Sequence, residues 1–397
     1  MHFEETSIQK ELRALTRKFA QKELAPLIED DEHAEKFRPE LILKLGELGL
    51  TGIPVPETYG GAGLGYQEYI TTIEELAAVS TSYAISIAVT GLPQIILNLF
   101  GSEEQKKKFI LPLAEGKAIG AFSLSEAGAG SDAGNLRTTA RRDGDHYVIN
   151  GTKQWTTQGD IADTIILMAR TGGIGPRGVS AFVVQKGMAG LKYGKREKKM
   201  GCAVSHTMEI VLENLTVPAE NLIGREGDGF KIAMTALDSG RITIAAGAVG
   251  IARAALEVAT NHAKQREQFG KRIADFQGIS FMLADMAVGL DASRLLVQRA
   301  AWLKDNNQPF TREAAMAKLF ATDMAMKITT DAVQVLGGSG YTQDFPVERY
   351  MREAKVMQII EGTNQIQRMI IGRSLTEAAP ESRELRDTRD ARGARNL

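Results

Sequence analysis

The chain has 397 residues, 48 basic against 49 acidic, a formal net charge of −1 and 43% hydrophobic content. At roughly 150 residues per domain this length predicts two or three domains, and the composition excludes disorder over most of the chain. Balanced charge excludes a bulk field that would recruit nucleic acid or an anionic membrane. The single cysteine, Cys202, excludes an intrachain disulfide and any CxxC motif. The five histidines, His2, His33, His146, His206 and His262, are scattered, so no metal site is expected. Met1-His2-Phe3-Glu4-Glu5 lacks the basic and apolar stretches of a signal peptide. The most apolar stretch, Ile242–Ala252, is eleven residues with Thr243 and two glycines inside it, against the about 18 that a bilayer span needs. The expectation is a soluble, cytoplasmic protein.

From the N-terminus, residues 5–32 place apolar and charged positions at a helical period, and further helices are predicted over 39–48, 66–79 and 83–99. Ser102-Glu103-Glu104-Gln105 fits a capping box that opens a helix ending near Gly116. From Gly120 to Val217 the pattern changes to short β-like runs between turn dipeptides. Tyr147-Val148-Ile149 lies between Asp143-Gly144 and Asn150-Gly151, both hairpin signals. Thr164–Met168, Val179–Val184 and Met208–Val217 read as further strands. No proline occurs between Pro218 and Pro309. Only Pro346 and Pro380 follow, and because proline costs about 3 kcal/mol inside a helix, these long gaps leave room for long helices over 230–263, 275–304 and 311–336.

The predicted fold class is therefore α+β and multidomain. It has an N-terminal helical domain over 1–118, a middle antiparallel β-barrel-like domain over 119–226 and a C-terminal four-helix bundle over 227–379. Residues 380–397 interleave arginines with acids, carry almost nothing apolar and are expected to be a disordered tail.

Gly173-Ile174-Gly175-Pro176-Arg177-Gly178 matches GxGxxG, but a strand-like run follows it and a proline sits inside it. A dinucleotide fingerprint has to open a helix, so this stretch reads as a hairpin loop. GxxxxGK[ST], HExxH and GxSxG are absent from the chain. An enzyme built on it has to borrow its chemistry from a cofactor.

Three stretches carry candidate chemistry. In Ala121–Gly134 a strand runs into a loop rich in glycine and serine, which lets backbone N–H groups and hydroxyls approach a flat or anionic ligand; a plain connecting loop has the same composition. Gly151-Thr152-Lys153-Gln154-Trp155-Thr156-Thr157 puts one of two tryptophans beside hydroxyls, a stacking face next to donors, although a core tryptophan fits equally. In Ile359-Ile360-Glu361-Gly362-Thr363-Asn364-Gln365 a carboxylate follows two isoleucines. Apolar surroundings raise a carboxyl pKa towards the range of a useful base; the alternative is a surface glutamate near a helix N-terminus.

Taken together and in this order on one α–β–α chain, these stretches resemble the acyl-CoA dehydrogenase family from residue 5 to about 376. The resemblance also rests on Gly60-Gly61-Ala62-Gly63, Leu237-Asp238-Ser239-Gly240-Arg241, Arg266-Glu267-Gln268-Phe269-Gly270 and Gln334-Val335-Leu336-Gly337-Gly338. It implies α,β-dehydrogenation of an acyl-CoA to the trans-2-enoyl-CoA, with FAD as cofactor and electron-transfer flavoprotein as electron acceptor. Glu361 would remove the α-proton, and the Gly362 N–H would meet the thioester oxygen. Phe122, Leu124, Ser125 and Ser131 would lie along the flavin and the start of the acyl-CoA. Trp155 would flank the isoalloxazine, with Thr156 beside it and Thr157 hydrogen-bonding near N5; Thr363 and Gln365 would meet the ribityl and diphosphate.

Ser131, Asp238, Arg241 and Gly362 would face the substrate. Gly240 stands where some branched-chain members carry their base, so Glu361 has no rival there. The resemblance further implies a homotetramer, a dimer of dimers, in which Arg266, Phe269, Gln334, Gly337 and Gly338 serve the FAD of a neighbouring chain. Ile360 replaces a commonly aromatic residue, and Cys202–His206 departs from the usual strand approach. A short or medium, straight or simply branched acyl chain is expected. A flavin oxidase on the same scaffold and a non-catalytic scaffold are the alternatives.

Overall fold

A computed structural model of the chain describes residues 4–376; the tail expected over 380–397 lies outside the described residues. The N-terminal part is helical: α1 Ser7–Phe19, α2 Ile28–His33, α3 Pro39–Glu47, α4 Tyr66–Ala77, α5 Thr81–Phe100, α6 Glu103–Gln105 and α7 Leu111–Ala114. Thr6 with Gln9 and Ser102 with Gln105 form the capping boxes that start α1 and α6. The single helix expected over 5–32 is three pieces, because a π-helical turn at Ala20–Leu24 and a break before Ile28 re-aim the chain. Glu74 and Glu75 of α4 are buried and receive Arg13 and Arg17 from α1, together with Arg253 and Arg294 from the C-terminal helices. Buried carboxylates need such partners to stay ionised.

The middle part holds β1 Gly120–Ser123, β2 Thr139–Asp143, β3 His146–Thr157, β4 Thr164–Arg170, β5 Val179–Gln185, β6 Leu191–Arg196, β7 Thr207–Pro218 and β8 Leu222–Ile223. They form one eight-stranded sheet in the order β6-β7-β3-β2-β4-β5-β8, with β1 added alongside β4. Most neighbours are antiparallel as expected. The exceptions are β1 on β4, parallel from Gly120↔Thr164 to Ser123↔Leu167, and the single parallel pair Thr139↔Arg170. A parallel partner requires a long crossover, and the Leu124–Asp163 segment supplies it.

Asp143-Gly144 makes the β2–β3 turn, but Asn150-Gly151 does not turn the chain. There β3 continues through a register shift against β7, so the glycine marks a β-bulge. The GxGxxG stretch connects β4 to β5 and ends in a short 3₁₀ turn, Pro176–Gly178.

The C-terminal part carries α8 Gly229–Gln265, the short hairpin β9 Glu267–Gln268 and β10 Lys271–Arg272, α9 Gln277–Asp305, α10 Thr311–Leu336, α11 Gly338–Tyr341, α12 Val347–Met357 and α13 Asn364–Thr376. Helix α8 packs on α9, α10 and α12 and also on α4 and α5, so one continuous core runs from the N-terminal helices into the bundle. Helices α5 and α8 are each long and apolar enough, by length and composition, to cross a membrane, at a mean hydropathy of 1.6. Single polar residues punctuate both, so neither stands out as an unbroken apolar run. In each, 78% of the most apolar stretch is buried against neighbouring helices and strands, which accounts for the composition.

Candidate active site

A cavity of about 700 Å³ opens where the sheet, α5, α8 and the α12–α13 connection meet. The sheet contributes its first wall. Strand β1 delivers Phe122, then Leu124 and Ser125, and the following loop brings Ser131 to the rim. Lys153, fully buried on β3, holds this loop by donating to Leu124 O at 3.0 Å and to Glu126 at 2.8 Å. Glu126 in turn accepts from the Arg137 and Thr138 amides. Burial pushes the Lys153 ammonium down to about 8 against the pull of Glu126. Glu126→Ala leaves that buried cation unpaired and should cost about 3–5 kcal/mol, read as a lowered midpoint of thermal unfolding; an unchanged midpoint contradicts this role.

Trp155 reaches the cavity through a second irregularity in β3. The register against β7 shifts between Lys153 and Thr156, Gln154 N donates to Ser125 O, and Trp155 takes a left-handed φ of 58°. That conformation is uncommon for a bulky residue and marks a position fixed by its surroundings. It leaves the indole 53% exposed against the cavity rather than in the core. Thr157 also lines the cavity, whereas Thr156 is buried and hydrogen-bonds to Ser123 at 2.9 Å. The hydroxyls of Ser125, Ser131 and Thr157 have no protein hydrogen-bond partner among the described residues, so they can receive a ligand.

The opposite wall carries the carboxylate. Glu361 sits in the α12–α13 connection with φ 54°, followed by Gly362 at φ 87°. It is not the surface residue of a helix N-terminus. Its Oε2 is sealed from solvent and has no hydrogen-bond partner, and Ile360 beside it packs with Val356 on Ile85, Val89 and Cys202. Burial raises the Glu361 carboxyl to about 7, while Arg241 and Lys318 pull it back.

The backbone of this turn is pinned from behind. Glu361 O accepts from Gln367 at 3.2 Å and from Arg241 Nε at 3.4 Å, and Gly362 O accepts from Gln367 at 2.8 Å. Neither the Glu361 nor the Gly362 N–H donates to a protein acceptor among the described residues. Thr363 caps α13 through Ile366 N and lines the cavity. Room for the carboxylate comes from α8, where a Cβ at Gly240 would lie 2.9 Å from Glu361 Cδ and Oε2 and 3.2 Å from Oε1.

Not every residue singled out from the sequence comes to this cavity. Asp238 stands one layer back, pairing with Arg241 and accepting from Thr311 Oγ1 at 2.6 Å; Arg241 itself lines the cavity. Gln365 is exposed on α13. Arg266, Phe269, Gln334, Gly337 and Gly338 lie on the exposed surface, Phe269 at 95%, and none of them lines the cavity. On α5 the lining residues are Ile85, Val89 and Leu92, while Ser86 and Thr90 turn instead to the buried Gln158. Lys153, Glu126, Lys318 and Gln367 escaped the sequence reading. Their one signal was the charged or amide group itself, which on a lone strand or helix reads as solvent-facing.

Helices flank a central sheet, and between them one cavity brings together a carboxyl in an apolar wall and a tryptophan, an arrangement suited to enzymes that act on small molecules. Family models described as the N-terminal, middle and C-terminal domains of acyl-CoA dehydrogenase match residues 6–117, 121–215 and 227–376. The chain is 46% identical over 373 residues to a "short-chain specific" acyl-CoA dehydrogenase of Clostridium acetobutylicum, covering 94% of this chain and 98% of that one. Butyryl-CoA dehydrogenase from Megasphaera elsdenii superposes with a TM-score of 0.93 at 46% identity, over 94% and 100% of the two chains. A chain from a structure described as the electron transferring flavoprotein of Acidaminococcus fermentans gives 0.94 at 48% identity, over 95% and 100%. This chain belongs to the acyl-CoA dehydrogenase family. It is an oxidoreductase of that class.

Proposed function

We propose that the protein dehydrogenates a short-chain acyl-CoA at its α and β carbons, with Glu361 as the base. The observation that carries this reading is the unpartnered Glu361 carboxyl, held near neutral pKa in the apolar wall of a cavity whose other side is Trp155. An α-proton of a thioester becomes removable only when its carbonyl oxygen is stabilised as charge develops there. The free N–H groups of the Glu361–Gly362 turn supply such donors, and the Arg241 guanidinium behind Glu361 O strengthens the turn's dipole. Glu361 then takes the proton from the α-carbon. Above about pH 7 it is ionised and ready; below that it is protonated and idle.

FAD fits the residues present: a tryptophan face, the unpartnered hydroxyls of Ser125, Ser131 and Thr157, and a cavity large enough to take a ring system beside a thioester. Phe122, Leu124, Trp155 and Thr157 would hold its ring system, with Ser125, Ser131 and Thr363 along its polar part. Bound there, FAD supplies the two-electron acceptor for the β-hydride. Electron-transfer flavoprotein would be the acceptor of the electrons FAD takes up, a reading supported by family membership and by the likeness to a chain from the Acidaminococcus fermentans electron transferring flavoprotein structure. The apolar closure by Ile85, Val89, Cys202 and Ile360 and the names of the relatives support a short, uncharged acyl chain.

A homotetramer in the cytoplasm completes the reading. Its support is the exposure of Arg266, Phe269, Gln334, Gly337 and Gly338 away from their own cavity. A second support is the exposed apolar stripe Phe281, Val288 and Leu295, seven residues apart along α9. The test is anaerobic addition of butyryl-, isobutyryl-, isovaleryl-, octanoyl- and palmitoyl-CoA to the FAD-loaded protein. Loss of the yellow flavin absorbance with the short thioesters, stable until electron-transfer flavoprotein is added, is expected. Rapid recovery in air would assign an oxidase instead, and a protein that takes up no FAD would overturn the reading.

A further inference from the structure

Lys318, on α10, has no place in the chemistry above, yet it is fully buried directly behind the Glu361 turn. Its Nζ donates to Gly362 O at 2.9 Å and to Asn364 Oδ1 at 2.8 Å. Asn364 is itself fixed by Thr322 and Asp323 of the same helix. Burying an ammonium is costly unless it is paired, and the direct partners of this one are neutral oxygens. The carboxylates that act on it through space are Glu361 and Asp323, and burial drives its pKa down to about 7.

Glu361 and Gly362 both occupy the left-handed region. For a non-glycine residue such backbone costs on the order of 1 kcal/mol or more and persists only when its surroundings over-determine it. An aliphatic side chain at position 318 would fill the space without that desolvation cost.

We propose that Lys318 is a positioning residue for the base: its ammonium clamps the Glu361–Gly362 turn through Gly362 O and biases Glu361 towards the carboxylate. The inference rests on Glu361 being the base. The charged groups around that carboxyl are few. Helix α8 brings Arg241, which pulls on the carboxyl while pairing with Asp238; α10 brings Lys318 and Asp323; α13 brings Arg368, which pairs with Asp323. Helix α5 and the end of α12 offer Ile85, Val89 and Val356, and Lys199 is the one further cation among the lining residues. Lys318 is the cation in this set that both bonds the turn and acts on the carboxyl without a carboxylate of its own.

The test compares Lys318→Met, which removes charge and donors at similar length, with Lys318→Gln, which keeps a donor without charge. Both are measured as FAD-loaded proteins for kcat/KM against pH and for the Glu361 carboxyl band in infrared difference spectra against Glu361→Gln. Removing the cation raises the carboxyl pKa, so the acidic limb of the kcat/KM profile moves to higher pH. At pH 7 the kcat/KM of Lys318→Met falls about fivefold or more, since a neighbouring opposite charge moves a carboxyl that sits at about 7 by about a unit or more. The protonated carboxyl band persists to correspondingly higher pH, and flavin content stays at the wild-type level. Lys318→Gln recovers part of the rate but keeps the displaced limb, and it carries the decision alone if Lys318→Met does not fold. A limb and carboxyl titration that coincide with wild type, whatever the rate, overturn the proposal. Wild-type protein that is not bleached by any acyl-CoA would overturn the parent reading instead, so the two failures are told apart.

Discussion

Glu361→Gln lowers turnover about 10⁴-fold while flavin content and enoyl-CoA affinity stay near the wild-type level. The amide is nearly isosteric with the carboxyl, so the packing on Ile85, Val89 and Cys202 and the close approach to Gly240 are retained. What is lost is a proton acceptor at Oε2, the atom left without a hydrogen-bond partner in the apolar wall. The wild-type rate carries the matching signature. Burial raises the folded carboxyl to about 7, so kcat/KM climbs as pH rises through that value and levels off above it. In Glu361→Gln the residual rate has no such limb. Steady-state kinetics across pH 5–9, with product binding followed by the flavin spectrum, checks both statements together.

Gly240→Ala lowers kcat about 10²-fold with a much smaller change in acyl-CoA affinity, because a displacement near 1 Å at the reacting group is enough for a loss of that size. Gly240 is helical, so backbone freedom is not the reason for a glycine there. The reason is distance: its added Cβ would stand 2.9 Å from Glu361 Cδ, closer than real Cβ contacts allow. One of the two has to move, and Glu361 is anchored by Gln367 and Arg241 on its carbonyl oxygen, which leaves the carboxyl end to swing. The variant should fold with a thermal midpoint close to wild type, since the strain falls on one side chain. A Gly240→Ala protein with wild-type kcat would mean that the carboxyl has another working position.

The helices and the apolar surroundings of Glu361 were largely legible in the amino-acid order, because both depend on neighbours in sequence. The capping box at Ser102 and the proline-free stretches that α8, α9 and α10 fill are local signals. Ile359-Ile360-Glu361-Gly362 announces an apolar carboxylate followed by a residue suited to a left-handed turn. What was not legible depends on contacts between distant residues. Lys318 looks like the polar face of a helix until α13 covers it, and its acceptor Gly362 lies 44 residues away. The tie between Gly240 and Glu361 spans the whole bundle. Asn150-Gly151 carries the composition of a hairpin turn, yet pairing with β7 on the far side keeps β3 extended and turns the signal into a bulge. Lys153 and Glu126 fail for the same reason: each alone is a surface charge, and only the crossover after β1 makes them a buried pair.

Deuterium exchange at the α-carbon tests the role of Glu361 without any electron transfer. A thioether analogue of an acyl-CoA, with sulfur in place of the β-carbon, has an α-proton to lose and no β-hydride to give. Incubated in D₂O with the FAD-loaded wild-type protein, it takes up deuterium at the α-position, faster above neutral pH than below. Glu361→Gln, which binds the same analogue, leaves the proton in place. Exchange by Glu361→Gln at the wild-type rate would mean that some other group takes the proton, and Glu361 would no longer be the base.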